Sequence, residues 1–256
     1  MPQETVENRK IFFLNPDSVI QEELIDAVSQ ADYEAYLITD HLKATKLLAR
    51  FPGSILFVNI DKRIRNLQWA TYIKEFMSDP QTHTVRIGVL SYNADPDLTR
   101  RYLIDLSVPC GFVHLKPGIV ESTRFLIQVL EANDARGKRK FVRAVIPADT
   151  SVTFNVKNHN SFITGRISDI SVAAMACYFD QDPGISIGQT VNDMQLNLRG
   201  NVVGLSGVIV GHRHTAMGKL YVVAFTLNQP VEVRQKIRSF VYSTLHREMN
   251  RLISSL

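Results

Sequence analysis

Apolar residues in the first half of the chain gather into short continuous runs: "KIFFLN" (10–15), "EAYLIT" (34–39), "SILFVNI" (54–60), "VRIGVLS" (85–91) and "CGFVHLK" (110–116). Runs of this length without polar alternation read as strands buried on both faces. Between them apolar positions fall three and four apart, as at Ile20, Leu24, Ile25 and Val28, or Tyr72, Ile73 and Phe76, which is the spacing of amphipathic helices. Parallel neighbours need a crossover of helical length, so the alternation predicts a doubly wound α/β domain on a parallel five-stranded sheet. A long last helix covers roughly residues 118–135.

From Ala144 the pattern changes. Alternating β-branched segments follow at 152–158, 162–170, 173–180, 195–213 and 219–227, with "DPG" (182–184) and "MGK" (217–219) as turns. Many strands at short spacing predict a small antiparallel barrel or sandwich. Past Pro230, Val231, Ile237, Phe240, Val241, Leu245, Met249 and Leu252 recur at helical steps, with Arg234, Lys236, Arg238, Arg247 and Arg251 spread around the rest of that helix. The expected organisation is an α/β domain over 1–135, a basic linker over 136–143, and an all-β barrel with a C-terminal helix over 144–256.

With 45% hydrophobic and 21% charged residues, the 256-residue chain is long enough for two cores and has no compositional sign of disorder. No apolar run is long enough to cross a bilayer and "MPQETVENRK" lacks the core of a secretion signal, so membrane insertion is not expected and a cytoplasmic location is. Cys110 and Cys177 have no metal-like spacing and read as reduced structural thiols. The net charge of +4 hides an asymmetry. Residues 1–132 hold 14 Lys+Arg against 17 Asp+Glu, whereas residues 133–256 hold 15 against 8, so the second half is the one that seeks anions.

In open α/β sheets the functional crevice lies past the carboxyl ends of the strands. Those ends carry Asn15, Pro16 and Asp17, then Asn59 and Asp61, then Ser91, then Lys116 and Pro117. At these positions the domain resembles the receiver domain of two-component response regulators, which places paired acids after strand one, a phosphoacceptor aspartate at the end of strand three, Ser or Thr after strand four, and Lys-Pro after strand five. Ser91 and Lys116 match. Asn15 stands in place of an acid and Asn59 in place of the phosphoacceptor. A neutral carboxamide holds Mg²⁺ poorly and is a weak nucleophile, so the resemblance implies a pseudo-receiver, either a regulatory descendant or a scaffold for docking.

The run "DARGKRKFVRA" (134–144) packs Arg136, Lys138, Arg139, Lys140 and Arg143 into the linker, and "DISVAA" begins at Asp169, 26 residues after Arg143. Together they resemble the signature of PilZ domains, which sense cyclic di-GMP: R-x-x-x-R before the barrel, then D/N-x-S-x-x-G at a strand end. Arg139 and Arg143 match the arginines, Lys138 stands where a further arginine is common, and Asp169 and Ser171 match the acid and hydroxyl. Ala174 departs from the pattern, standing where the family has glycine. If that position needs a positive φ, alanine costs about 1–2 kcal/mol; if it needs only a small side chain, little is lost.

The resemblance implies a cyclic di-GMP site formed by Arg139, Arg143, Asp169 and Ser171, with Arg136, Lys138 and Ala174 at its margin. The chemistry is coherent without it: a guanidinium offers paired planar donors to a phosphodiester or to guanine O6 and N7, and a carboxylate accepts from guanine N1–H and N2–H₂. Binding at the linker is expected to alter how the two domains face one another and so to present a surface to a downstream protein. No cofactor, metal or catalytic residue is expected; His159, His212 and His214 lack a partnered nucleophile or metal spacing. An interaction adaptor that binds no nucleotide and a nucleic-acid-binding protein are the two alternative readings.

Overall fold

The computed structural model describes residues 8–17, 23–64, 68–115, 118–137, 139–147, 151–158 and 161–256. Lys116, Lys138, His159 and Ile20 therefore lie outside the described residues. The chain divides into two compact units, Met1–Lys140 with Met249–Leu256, and Phe141–Glu248.

The first unit contains a parallel sheet of β1 (Ile11–Leu14), β2 (Ala35–Ile38), β3 (Ile55–Asn59), β4 (Arg86–Ser91) and β5 (Phe112–His114) in the order β2-β1-β3-β4-β5. This is the flavodoxin-like order, in which β1 and β3 flank the point where the winding reverses. Every residue of β1 and β3 is buried, which is why the sequence shows continuous apolar runs rather than alternation. Phe13 and Phe57 stack across these strands with ring centroids 5.6 Å apart.

Among the described residues, α1 (Ile25–Gln30), α2 (His41–Leu48), α3 (Trp69–Ser78) and α4 (Pro96–Arg100) connect the strands, with a π-helical turn at Arg101–Asp105 continuing α4, and α5 (Ile119–Ala132) follows β5. Asp40 caps α2 by accepting from the amides of Leu42 and Lys43, and Asp95 caps α4 with Pro96 at its first position.

The second unit is an antiparallel barrel. Strands β7 (Thr153–Asn158), β8 (Ser161–Ser171), β9 (Ala174–Phe179), β10 (Thr190–Leu198), β11 (Asn201–Thr215) and β12 (Gly218–Phe225) pair in the order β8-β7-β10-β11-β12-β9, and pairing of β8 with β9 closes the ring at six strands. Short β6 (Arg143–Val145) lies on the last three residues of β8. α6 (Val231–Ser254) follows.

One expectation is corrected: residues 195–213 do not form a single strand. They hold the end of β10, a two-residue turn and most of β11. The turn is Arg199–Gly200, with φ of 55° and 90°, and the Asn197 side chain accepts from the Gly200 amide at 2.7 Å. Two positive-φ residues in a two-residue loop match the twist of the flanking strands, but Arg-Gly lacks the usual Asn-Gly lettering, so the sequence concealed it. The barrel interior is closed by Phe154, Phe179 and Tyr221, packed edge to face at 4.9 and 5.1 Å. Phe154 lies against Gly165, where any Cβ would sit 2.5 Å from its ring.

Candidate functional site

The antiparallel register of β6 on β8 sets Arg143 opposite Ser171 and Val145 opposite Asp169. Within this short ladder the Arg143 guanidinium reaches diagonally to the Asp169 carboxylate at 3.0 Å, both side chains being partly exposed at 36% and 19%. Two residues separated by 26 positions in sequence thus present a planar cationic donor and an anionic acceptor side by side. Asp169 follows a bulge in the β8–β9 pairing, between Ile167 and Asp169, which places it opposite Ala176. Bulges re-aim side chains in this way.

Ser171 is 3% exposed and turned inward to the β8–β9 connection. Its hydroxyl accepts from the amides of Ala173 and Ala174 at 3.3 and 3.2 Å and donates to the Ala174 carbonyl at 3.2 Å. It holds the turn that joins the acid-bearing strand to β9. Ala174 opens β9, pairs with Ala224, and is not among the residues of positive φ, so its backbone makes no demand that only glycine meets.

The linker residues divide. Arg136 is bound within the first unit, donating to the Ala31 carbonyl at 2.6 Å and lying over the Tyr33 ring at 4.8 Å. Arg139 is exposed. Arg143, Asp169, Ser171 and Ala174 come together in the second unit.

In the first unit the carboxyl ends of the strands carry Asn15, 1% exposed at φ 51°, whose carboxamide has no hydrogen-bond partner among the described residues. Asn59, 2% exposed, accepts from the Asp61 amide at 3.0 Å. That turn delivers the Asp61 carboxylate to the end of β4, where it accepts from the Ser91 hydroxyl and from the Tyr92 amide, both at 2.6 Å. Tyr92 in turn donates to Asp17 at 3.4 Å, and burial together with the Asp17 charge pushes its phenol up to about 12. The sequence placed Asp61 among the strand-end residues, two positions after Asn59, but its reach to Ser91 and Tyr92 appears only in the fold.

Residues 137–243 match the PilZ domain family. This segment is a PilZ domain. The PilZ domain of YcgR from Escherichia coli, solved with c-di-GMP, is 16% identical, with 46% of this chain and 99% of that chain covered at a TM-score of 0.39. The K. pneumonia MrkH–c-di-GMP complex is 13% identical over 45% of this chain and 56% of that one, at 0.38. The signal receiver domain of an HD domain-containing protein from Pseudomonas fluorescens Pf-5 is 18% identical over 51% of this chain and all of that one, at 0.41. No curated protein matches the chain.

Within the PilZ domain the Arg143–Asp169 pair can meet a ligand bearing both acceptors and donors. An ion pair with this much exposure contributes about 0–1 kcal/mol, so a ligand that replaces it with its own charge-assisted bonds loses little by opening it.

Proposed function

We propose that the protein is a cyclic di-GMP-binding signalling effector whose ligand docks on the PilZ domain at Arg143 and Asp169. The observation that carries this reading is the 3.0 Å pairing of those two side chains on adjacent strands, at the positions where the domain's two motifs fall. Arg143 donates to guanine O6 and N7 or to a phosphodiester oxygen, and Asp169 accepts from guanine N1–H and N2–H₂. Arg139, on the linker, supplies the second guanidinium. Ser171 acts indirectly by holding the β8–β9 turn, and Ala174 leaves the approach open. Lys138 is assigned to the margin of the site; Arg136, engaged with Ala31 and Tyr33, reaches the ligand only by leaving them.

Each charge-assisted bond contributes about 1.5–3 kcal/mol, so a few of them offset the entropic and desolvation costs of binding. Engaging Arg139 and Arg143 with one ligand would alter the arrangement of the two units and the surface offered to a downstream protein, by no more than the ligand's differential affinity for the two arrangements.

Isothermal titration with cyclic di-GMP tests the core of this reading. Saturable binding is expected in the native chain, with a loss of tenfold or more in Arg143→Ala and in Asp169→Asn. A flat titration of the native chain overturns it. X-ray scattering with and without ligand tests the coupling: superimposable profiles at saturation refute the rearrangement while leaving the binding reading intact.

A further inference from the structure

The second unit carries another concave surface, on elements that bear neither Arg143 nor Asp169. It is a cleft of about 390 Å³ between the β10–β11 turn and α6, and its polar lining comprises Arg199, Asn201, Lys236, Ser239, Ser243 and Arg247. None of the residues lining it is acidic. The basic residues of α6 looked scattered in the sequence, but the fold sorts them: Lys236, Ser239, Ser243 and Arg247 recur at three- and four-residue steps and share one face, whereas Arg234 is drawn to the Leu227 carbonyl at 2.7 Å.

Arg199 is held over this face. Its guanidinium donates to Thr244 at 2.9 Å and lies 5.1 Å from the centre of the Phe240 ring. It also occupies a left-handed backbone position, φ 55°, where Gly or Asn would be less strained. A cation is kept at the mouth of the cleft against the preference of the turn.

Lys236 and Arg247 are 11 residues apart, about 16 Å along the helix axis, with Arg199 docked between them at the level of Phe240 and Thr244. A compact anion cannot meet all three. Nucleic acid calls for a broad basic surface, and Asp180, Asp182, Asp193, Glu232 and Glu248 are all exposed on the same unit. An extended chain projects alternate side chains to one side roughly every 6.7 Å, so three carboxylates at alternate positions span about 13 Å, within reach of this row of long cationic side chains. Ser239, Ser243 and Asn201 are placed to bond its backbone.

We propose that this cleft binds an extended acidic peptide segment of a partner protein. The probe is a fluorescein-labelled peptide, Gly-Glu-Ser-Glu-Ser-Glu-Gly, titrated with the full chain and followed by anisotropy. Saturable binding is expected, weakened at least fivefold when NaCl rises from about 50 to about 300 mM. Lys236→Glu combined with Arg247→Glu should reduce affinity tenfold or more, and the matching Gln peptide should not bind. Both side chains are exposed, and an unchanged melting temperature of the double variant would show that the loss is local. The same variant should titrate with cyclic di-GMP like the native chain, which separates this inference from the dinucleotide reading. Equal peptide affinity in native and double-variant chains, no saturation, or tighter binding of inorganic phosphate or a single-stranded oligonucleotide through the same residues would overturn it.

Discussion

Ala174 carries a methyl group where the PilZ pattern has glycine, and it does so in extended backbone at the start of β9. The freedom of glycine would be idle there and its entropy cost would be added. Ala174→Gly is therefore expected to lower stability by about 0.5–1 kcal/mol in urea unfolding while leaving cyclic di-GMP affinity within about twofold. A tenfold gain in affinity would instead mean that the bound turn adopts positive φ. In the first unit, Asp61 occupies the hydroxyl of Ser91 and the amide of Tyr92 with one carboxylate. Asp61→Asn weakens two charge-assisted bonds at a solvent-facing site and should cost about 1 kcal/mol, read by the urea midpoint; an unchanged midpoint would show the contacts to be energetically idle. Neither role could be read from residue identity alone, because both depend on which loop meets which strand end.

Among the elements, the buried parallel strands and the long helices were legible because their apolar periods are strong and local. The β10–β11 hairpin was not: its turn is Arg199–Gly200, and Val202 and Val203 continue the apolar character of β10 across it, so the segment read as unbroken. β6 was missed for a different reason. Three residues with an exposed-buried-exposed pattern carry too little period, and the strand exists because the end of β8 offers it a ladder. Close packing inside the barrel supplies a test at this scale. A Cβ on Gly165 would collide with the Tyr178 carbonyl oxygen and lie 2.5 Å from the Phe154 ring, so Gly165→Ala should destabilise by about 1–3 kcal/mol and lower the thermal midpoint. Retention of the native midpoint would mean that β8 and β9 separate more readily than their pairing implies.

Across the whole molecule, each unit encloses one buried thiol, Cys110 in the first and Cys177 in the second. Burial pushes Cys110 up to about 12 and raises Cys177 as well, with Asp169 adding to the latter. These thiols hold their protons more tightly folded than unfolded. Their contribution is thus fully present below the unfolded thiol pKa and is lost as pH rises toward the folded value. Stability should decline by roughly 1 kcal/mol per pH unit for each thiol above about pH 9, and Cys→Ser variants should show a shallower decline. Identical slopes would refute the assignment. Among the described residues no helix is long and apolar enough to cross a membrane.

The sequence by itself determined the two architectures, a parallel α/β sheet followed by an antiparallel barrel and a helix, and its resemblance to the PilZ signature marked Arg139, Arg143, Asp169 and Ser171. The architectures are written in local periodicity, which acts within a few residues, and the site residues in two short motifs 26 positions apart. Tertiary structure alone decided that Arg143 meets Asp169, that Ser171 spends its hydroxyl on a turn, that Asp61 reaches Ser91, and that Arg199 joins Lys236 and Arg247 along one cleft. Each of these is set by strand register or by packing between distant segments, and a single-residue slip would send the same side chains to opposite faces.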